Sequence, residues 1–210
     1  MSLSGYRVIL ALGAHPDDVE LGCGGTLARA KGNGSQIHAV ILSRCEDEAP
    51  PENKNLRADE FLRAASLLGA KSHLYGIPNR GFPERRQEIM DIFERLQDDL
   101  NPDLVFLPFL EDPHQDHGTL ALAAIRTFRR RETLLQYEIL RYGSHTFTPS
   151  LFVDIGETLE QKVRALNEYK SQLGTRAYFD EESFRSLART RGAQSGYEYA
   201  EGFVIHKLYW

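Results

Sequence analysis

Two short stretches set histidines beside carboxylates. The first runs Gly13, Ala14, His15, Pro16, Asp17, Asp18, with Gly22, Cys23, Gly24, Gly25 and Thr26 just beyond; the second runs Asp112, Pro113, His114, Gln115, Asp116, His117. In the first, an imidazole and two carboxylates fall within four positions on a turn tightened by Pro16, so unlike donors converge on one point. Carboxylates crowded in this way repel unless a cation lies among them. The same residues have a plainer use, in which an aspartate caps a helix start and the histidine is merely exposed. Either stretch alone admits both readings. Placement separates them, because the first follows the apolar run Tyr6 to Leu12 and the second the run Leu104 to Leu110, and a helical stretch from Gly118 to Arg130 follows the second. Both clusters are therefore expected at carboxyl ends of strands. In an open parallel sheet that is where ligands bind, at the point where strand order reverses. If the two strands are neighbours across that point, two histidines and a carboxylate meet.

The elements that must position these residues are readable from periodicity. Strands are expected at Tyr6 to Leu12, Gln36 to Ser43, Ser72 to Ile77, Leu104 to Leu110, Gln136 to Tyr142, Leu151 to Ile155 and Glu201 to Leu208. Helices are expected at Thr26 to Lys31, Arg57 to Leu68, Glu84 to Leu100, Gly118 to Arg130, Glu157 to Ser171 and Asp180 to Arg191. Strands alternating with helices predict an α/β fold whose sheet is mostly parallel with helices on both faces. Residues 1–210 are expected to form a single domain. Arg44 to Asn55, polar and proline-bearing, is expected as a loop at a strand's carboxyl end. His145 lies in the connection after the fifth strand and is left outside the site. His38 reads as a core residue and Cys23 as a small, inert one.

Composition narrows the function classes. Of 210 residues, 41% are hydrophobic and 26% charged, as in ordinary globular proteins. A formal net charge of −5 gives no basic footprint for nucleic acid. Two cysteines are too few for a disulfide framework. No run is long enough to span a membrane, and the first residues lack a signal-peptide pattern, so no membrane partner and a cytoplasmic location are expected.

Ala14 to Asp18, the following Gly22, Gly24, Gly25 and Thr26, and His114, Asp116 and His117 resemble the LmbE or PIG-L family of metal-dependent N-deacetylases. Arg57, Glu60, Ala64, Leu68 and Gly69 resemble its middle helix, and Arg191, Gly192, Gln194, Gly196, Tyr199, Ala200, Glu201 and Phe203 its closing segment. Arg44, Cys45, Glu46 and Asp47 depart from its Gly-rich acidic loop. The resemblance implies a Rossmann-like fold and a metal held by His15, Asp18 and His117. Zinc is the expected ion, with iron or manganese as alternatives. It further implies Asp17 as general base, with His114 at the oxyanion or the departing amine. Asp116 would orient one of the histidines from behind. Arg57 is expected to bind substrate, and Arg80, a fork of donors on the crevice side, is a second candidate. The implied reaction removes the acetyl group from an N-acetylglucosamine-type amino sugar or conjugate, using water made acidic by the metal. Homo-oligomers occur in the family. Two alternatives stand beside this reading. Two histidines and a carboxylate also form the site of mononuclear non-haem iron enzymes. Gly22, Gly24 and Gly25 could instead cradle the phosphate of a nucleotide or sugar in a non-catalytic binding module.

Overall fold

A computed structural model of the chain describes residues 5–141 and 146–209. His145, and Tyr142 at the end of an expected strand, lie outside the described residues. Seven strands form one sheet in the order β3-β2-β1-β4-β5-β7-β6. They are β1 (Val8–Gly13), β2 (Gln36–Ile41), β3 (Lys71–Leu74), β4 (Leu104–Pro108), β5 (Thr133–Tyr137), β6 (Leu151–Asp154) and β7 (Ala200–Lys207). β1 pairs in parallel with β2 on one side and β4 on the other, so chain order reverses between β1 and β4. β2–β3 and β4–β5 are also parallel, whereas β7 runs antiparallel between β5 and β6.

The helices are α1 (Asp18–Gly32), α2 (Leu56–Leu67), α3 (Arg86–Leu100), α4 (Gln115–Thr127), α5 (Leu159–Leu166) and α6 (Glu181–Ser195). In β1, Ile9 and Ala11 point into one apolar cluster and Leu10 and Leu12 into the other; in β4, Leu104 and Phe106 oppose Val105 and Leu107 in the same way. Central strands buried on both faces must be apolar throughout, which is why these runs read as continuous rather than alternating. One face carries α1, α2, α5 and α6, the other α3 and α4.

Several boundaries differ from expectation. α1 begins at Asp18 rather than Thr26, and α4 at Gln115 rather than Gly118. β5 begins at Thr133 rather than Gln136 and ends at Tyr137 rather than Tyr142, and the helix expected through Ser171 ends at Leu166. Glycine carries a helix penalty of about 1 kcal/mol, which argues against a helix through Gly22, Gly24 and Gly25. Packing overrides it, because a Cβ at Gly22 would stand 2.0 Å from the Tyr137 ring and one at Gly25 2.9 Å from Ile155. These glycines bring α1 down onto the sheet. The phosphate cradle considered above is therefore not formed by them: they are helical, and the Gly25 and Thr26 amides donate to the Glu201 carboxylate at 3.0 and 2.7 Å.

Candidate active site

Both clusters sit at carboxyl ends of the two strands that flank the reversal. β1 ends at Gly13, and the chain turns through Ala14 to Asp17 into α1; β4 ends at Pro108 and leads through Asp112 into α4. Asp17, at the entry to α1, has φ 105°. An aspartate in this region is strained, and such positions persist only where surrounding contacts hold them. Here the holding group is Arg57 of α2, whose Nη2 donates to Asp17 Oδ2 at 2.9 Å and to the Pro16 carbonyl at 2.5 Å.

Three donor atoms converge between the strand ends. His15 Nδ1 lies 3.2 Å from His117 Nε2 and 3.6 Å from Asp18 Oδ2, and His117 Nε2 lies 3.4 Å from Asp18 Oδ2. Ligands about 2.0–2.1 Å from a tetrahedral ion stand roughly 3.3 Å from one another, so this triangle has the size a zinc-like ion requires. The far ring nitrogens are both engaged: His15 Nε2 by Asp116 at 3.1 Å and His117 Nδ1 by Asp112 at 2.9 Å. That arrangement leaves the near nitrogens facing the space between the three groups. The donor set fits a divalent metal. The imidazoles of His15, His114 and His117 also offer nitrogens within 4.8 Å of one another. The His15, Asp18 and His117 triangle is the tighter set, and His114 Nδ1 is occupied in capping α4, accepting from the Asp116 amide at 3.2 Å.

Charge in the cluster is strongly shaped by burial. Burial pushes Asp17 up to about 7 against the pull of Arg57. Burial would lower His117, but Asp18 and Asp112 outweigh it and hold the ring at about 10. Burial, with His117 and His15 nearby, drives His114 down to about 4.

The structure brings His15, Asp17, Asp18, His114, His117, Arg57 and Arg80 around one pocket of about 390 Å³. Asp116 lies fully buried behind it. Arg57 is only 2% exposed, and its Nη1 donates to Glu48 Oε2 at 3.1 Å. Arg80 reaches the rim with a largely exposed side chain, while its backbone N–H donates to Asp116 Oδ2 at 2.7 Å. Sequence reasoning did not single out Asp112 as the partner of His117, although it stood inside the second cluster. It also missed Glu48, Ile139, Arg141, Arg176 and Tyr178 on the pocket wall. Arg176 Nη2 donates to Glu48 Oε2 at 3.0 Å, and Nη1 donates to the Tyr178 hydroxyl at 3.2 Å. Glu48, Arg176 and Tyr178 lie on connections with no periodic signal, the one hint being that residues 44–55 begin at a strand's carboxyl end, whereas Ile139 and Arg141, expected inside a strand, follow the end of β5.

An open, mostly parallel sheet with a histidine–aspartate donor cluster at its reversal defines an α/β protein with a candidate divalent-metal site. The chain belongs to the PIG-L family: the family model described as GlcNAc-PI de-N-acetylase matches residues 10–128. It is similar to the diacetylchitobiose deacetylase of Thermococcus kodakarensis, 29% identical over 93% of this chain and 82% of that one. An uncharacterized deacetylase of Escherichia coli K12, YaiS, is 30% identical over 78% of this chain and 90% of its own length. Among solved structures, the conserved protein TT1542 from Thermus thermophilus superposes with a TM-score of 0.79 at 33% identity, covering 96% of each chain. No described helix is long and apolar enough to cross a membrane.

Proposed function

We propose that this chain is a divalent-metal-dependent deacetylase that hydrolyses the acetamide of an N-acetylglucosamine-type sugar or conjugate, releasing acetate and a free amine. The observation that carries it is the donor triangle of His15, Asp18 and His117 with a separate buried carboxylate, Asp17, beside it. The deacetylases among its relatives and the family description support the reaction and the sugar class. His15, Asp18 and His117 would hold the ion, with zinc the first choice and iron or manganese compatible with the same donors. When bound, such an ion polarises the amide carbonyl and lowers the pKa of a water to near ~7.

Asp17 takes the proton from the attacking water as its oxygen bonds to the carbonyl carbon. The carbon–nitrogen bond then breaks and the same proton passes to the departing nitrogen, so water is consumed and acetate and amine result. Arg57 holds Asp17 in its strained conformation and aims its carboxylate. His114 accepts at Nδ1 from a backbone amide, so its neutral ring carries the proton on Nε2, a donor for the developing oxyanion. Arg80 and Arg57 border the space that the sugar fills. A cytoplasmic location suits a chain with two buried, unpaired cysteines.

The test combines metal content with amine release from N-acetylglucosamine and diacetylchitobiose. Wild type should carry about one ion per chain and Asp18→Ala none, while Asp17→Asn keeps the ion and loses about 10²–10⁴ in turnover. Wild-type rates in Asp17→Asn, or no metal after reconstitution, would overturn the proposal.

A further inference from the structure

The pocket over the donor triangle is lined by carboxylates, imidazoles, guanidinium groups, Asn79 and Tyr178. Among the described residues, Leu21 and Ile139 are its two aliphatic members. Leu21 follows Asp17 and Asp18 by one turn of α1, with its N–H bonded to the Asp17 carbonyl at 2.9 Å. Residues three and four apart share a helix face, so Leu21 stands beside the proposed base and the Asp18 ligand. It is 7% exposed.

Leu21 also borders a second cavity on its other side, of about 20 Å³, walled by Leu140, Phe184, Leu187 and Ala188. That volume is little more than the roughly 10–15 Å³ a single water occupies. The charged groups at its edge are satisfied by one another, Lys162 with Glu201 at 2.6 Å and Arg191 with Glu138 at 2.7 Å. The cavity therefore offers space to an apolar group.

An acetamide has one apolar part next to its reacting carbon, the methyl. In a pocket otherwise polar, that methyl is best placed against the aliphatic side chains. We infer that Leu21 is the wall that limits the acyl group to acetyl, and that the cavity behind it is a closed-off continuation of the acyl site. Shortening Leu21 joins the two spaces and admits a straight acyl chain with two further methylenes. This inference rests on the deacetylase reading, since it specifies which acyl group that site accepts.

The experiment uses metal-loaded wild type, Leu21→Ala and Leu21→Val, with kcat/KM measured on N-acetyl- and N-butyryl-glucosamine. One methylene in an apolar pocket is worth roughly 10–200-fold in discrimination. The preference for acetyl over butyryl should therefore fall at least about tenfold in Leu21→Ala, with Leu21→Val between it and wild type. Calorimetric binding of acetate and butyrate, the carboxylate products, provides a readout that does not depend on turnover. Butyrate should gain affinity over acetate in Leu21→Ala. Unchanged ratios in folded variants of an active enzyme overturn the wall and leave the deacetylase intact. A fully loaded wild type that hydrolyses neither sugar, with variants that bind both carboxylates alike, overturns both.

Discussion

At the donor triangle each imidazole is turned by a carboxylate on its far side. His117 is fixed through Nδ1 by Asp112 Oδ2, and the same aspartate accepts the His114 N–H on Oδ1 at 2.8 Å, so one residue both shapes the turn and sets the ring. His15 is fixed through Nε2 by Asp116, itself held by the N–H groups of Arg80 and Phe82 at 2.7 and 3.4 Å. A carboxylate behind a metal-binding histidine fixes the tautomer and raises its basicity, and losing one costs about 10–100-fold in metal affinity. Asp112→Asn should weaken zinc binding by about that factor, measured by competition with a chromophoric chelator, with the secondary structure unchanged. Wild-type affinity would confine Asp112 to closing the turn. The residue types in both clusters were legible from spacing. Which aspartate backs which ring was not, because that depends on how two segments about a hundred residues apart face one another across β1 and β4.

The helix that enters the site, α1, whose first turn carries Asp18 and Leu21, is braced by side chains from elsewhere. The Leu21 carbonyl accepts from Lys162 Nζ of α5 at 2.8 Å, and the Gly25 and Thr26 amides donate to Glu201 of β7 at 3.0 and 2.7 Å. Lys162 and Glu201 meet at 2.6 Å with side chains 5% and 4% exposed. Gly22 and Gly25 allow the close approach to Tyr137 and Ile155 that keeps these partners within reach. These contacts give a physical purpose to Glu201 in the closing segment, which the sequence presented only as part of a family resemblance. They also explain why the start of α1 was illegible: its glycines are poor helix formers, and the partners that compensate lie more than a hundred residues away. Removing one member of a buried pair typically costs about 3–5 kcal/mol, whereas replacing both costs far less. Glu201→Gln should lower unfolding stability in urea by about that amount, and adding Lys162→Met should recover a substantial part of it. Two single variants whose effects simply add would show that the pair acts as two independent packing residues.

Over the whole molecule, alternation of strand and helix made the sheet legible, and the two donor clusters made its reversal point legible. The pocket walls were not, since Glu48, Arg176 and Tyr178 come from connections whose path is set by packing around the finished sheet. The sheet also carries ionisable groups away from the site. His38 of β2 and His73 of β3 approach at 2.9 Å between Nδ1 and Nε2, with rings stacked 5.1 Å apart. Burial, then the charges of His73 and Lys71, pushes His38 down to about 4; burial and Lys71 also lower His73. Both rings are thus neutral in the folded chain at pH values where an unfolded histidine, with pKa near ~6.5, gains a proton. A depressed folded pKa contributes stability that is fully present above about 6.5 and is lost as pH falls toward the folded value. Each histidine can add up to about 1.4 kcal/mol per pH unit to that slope, one proton's worth. Urea unfolding of the metal-free protein, kept in chelator so that ligand protonation on metal loss does not enter, should show stability falling between pH 6.5 and 4. His38→Phe should keep the buried ring, remove one titrating group and flatten that slope by up to one proton. Identical slopes in the two proteins would place the acid sensitivity in the carboxylates instead. The variant should leave the donor triangle unaltered, because His38 belongs to the β2–β3 side of the sheet and makes no hydrogen bond to any residue of the pocket among those described.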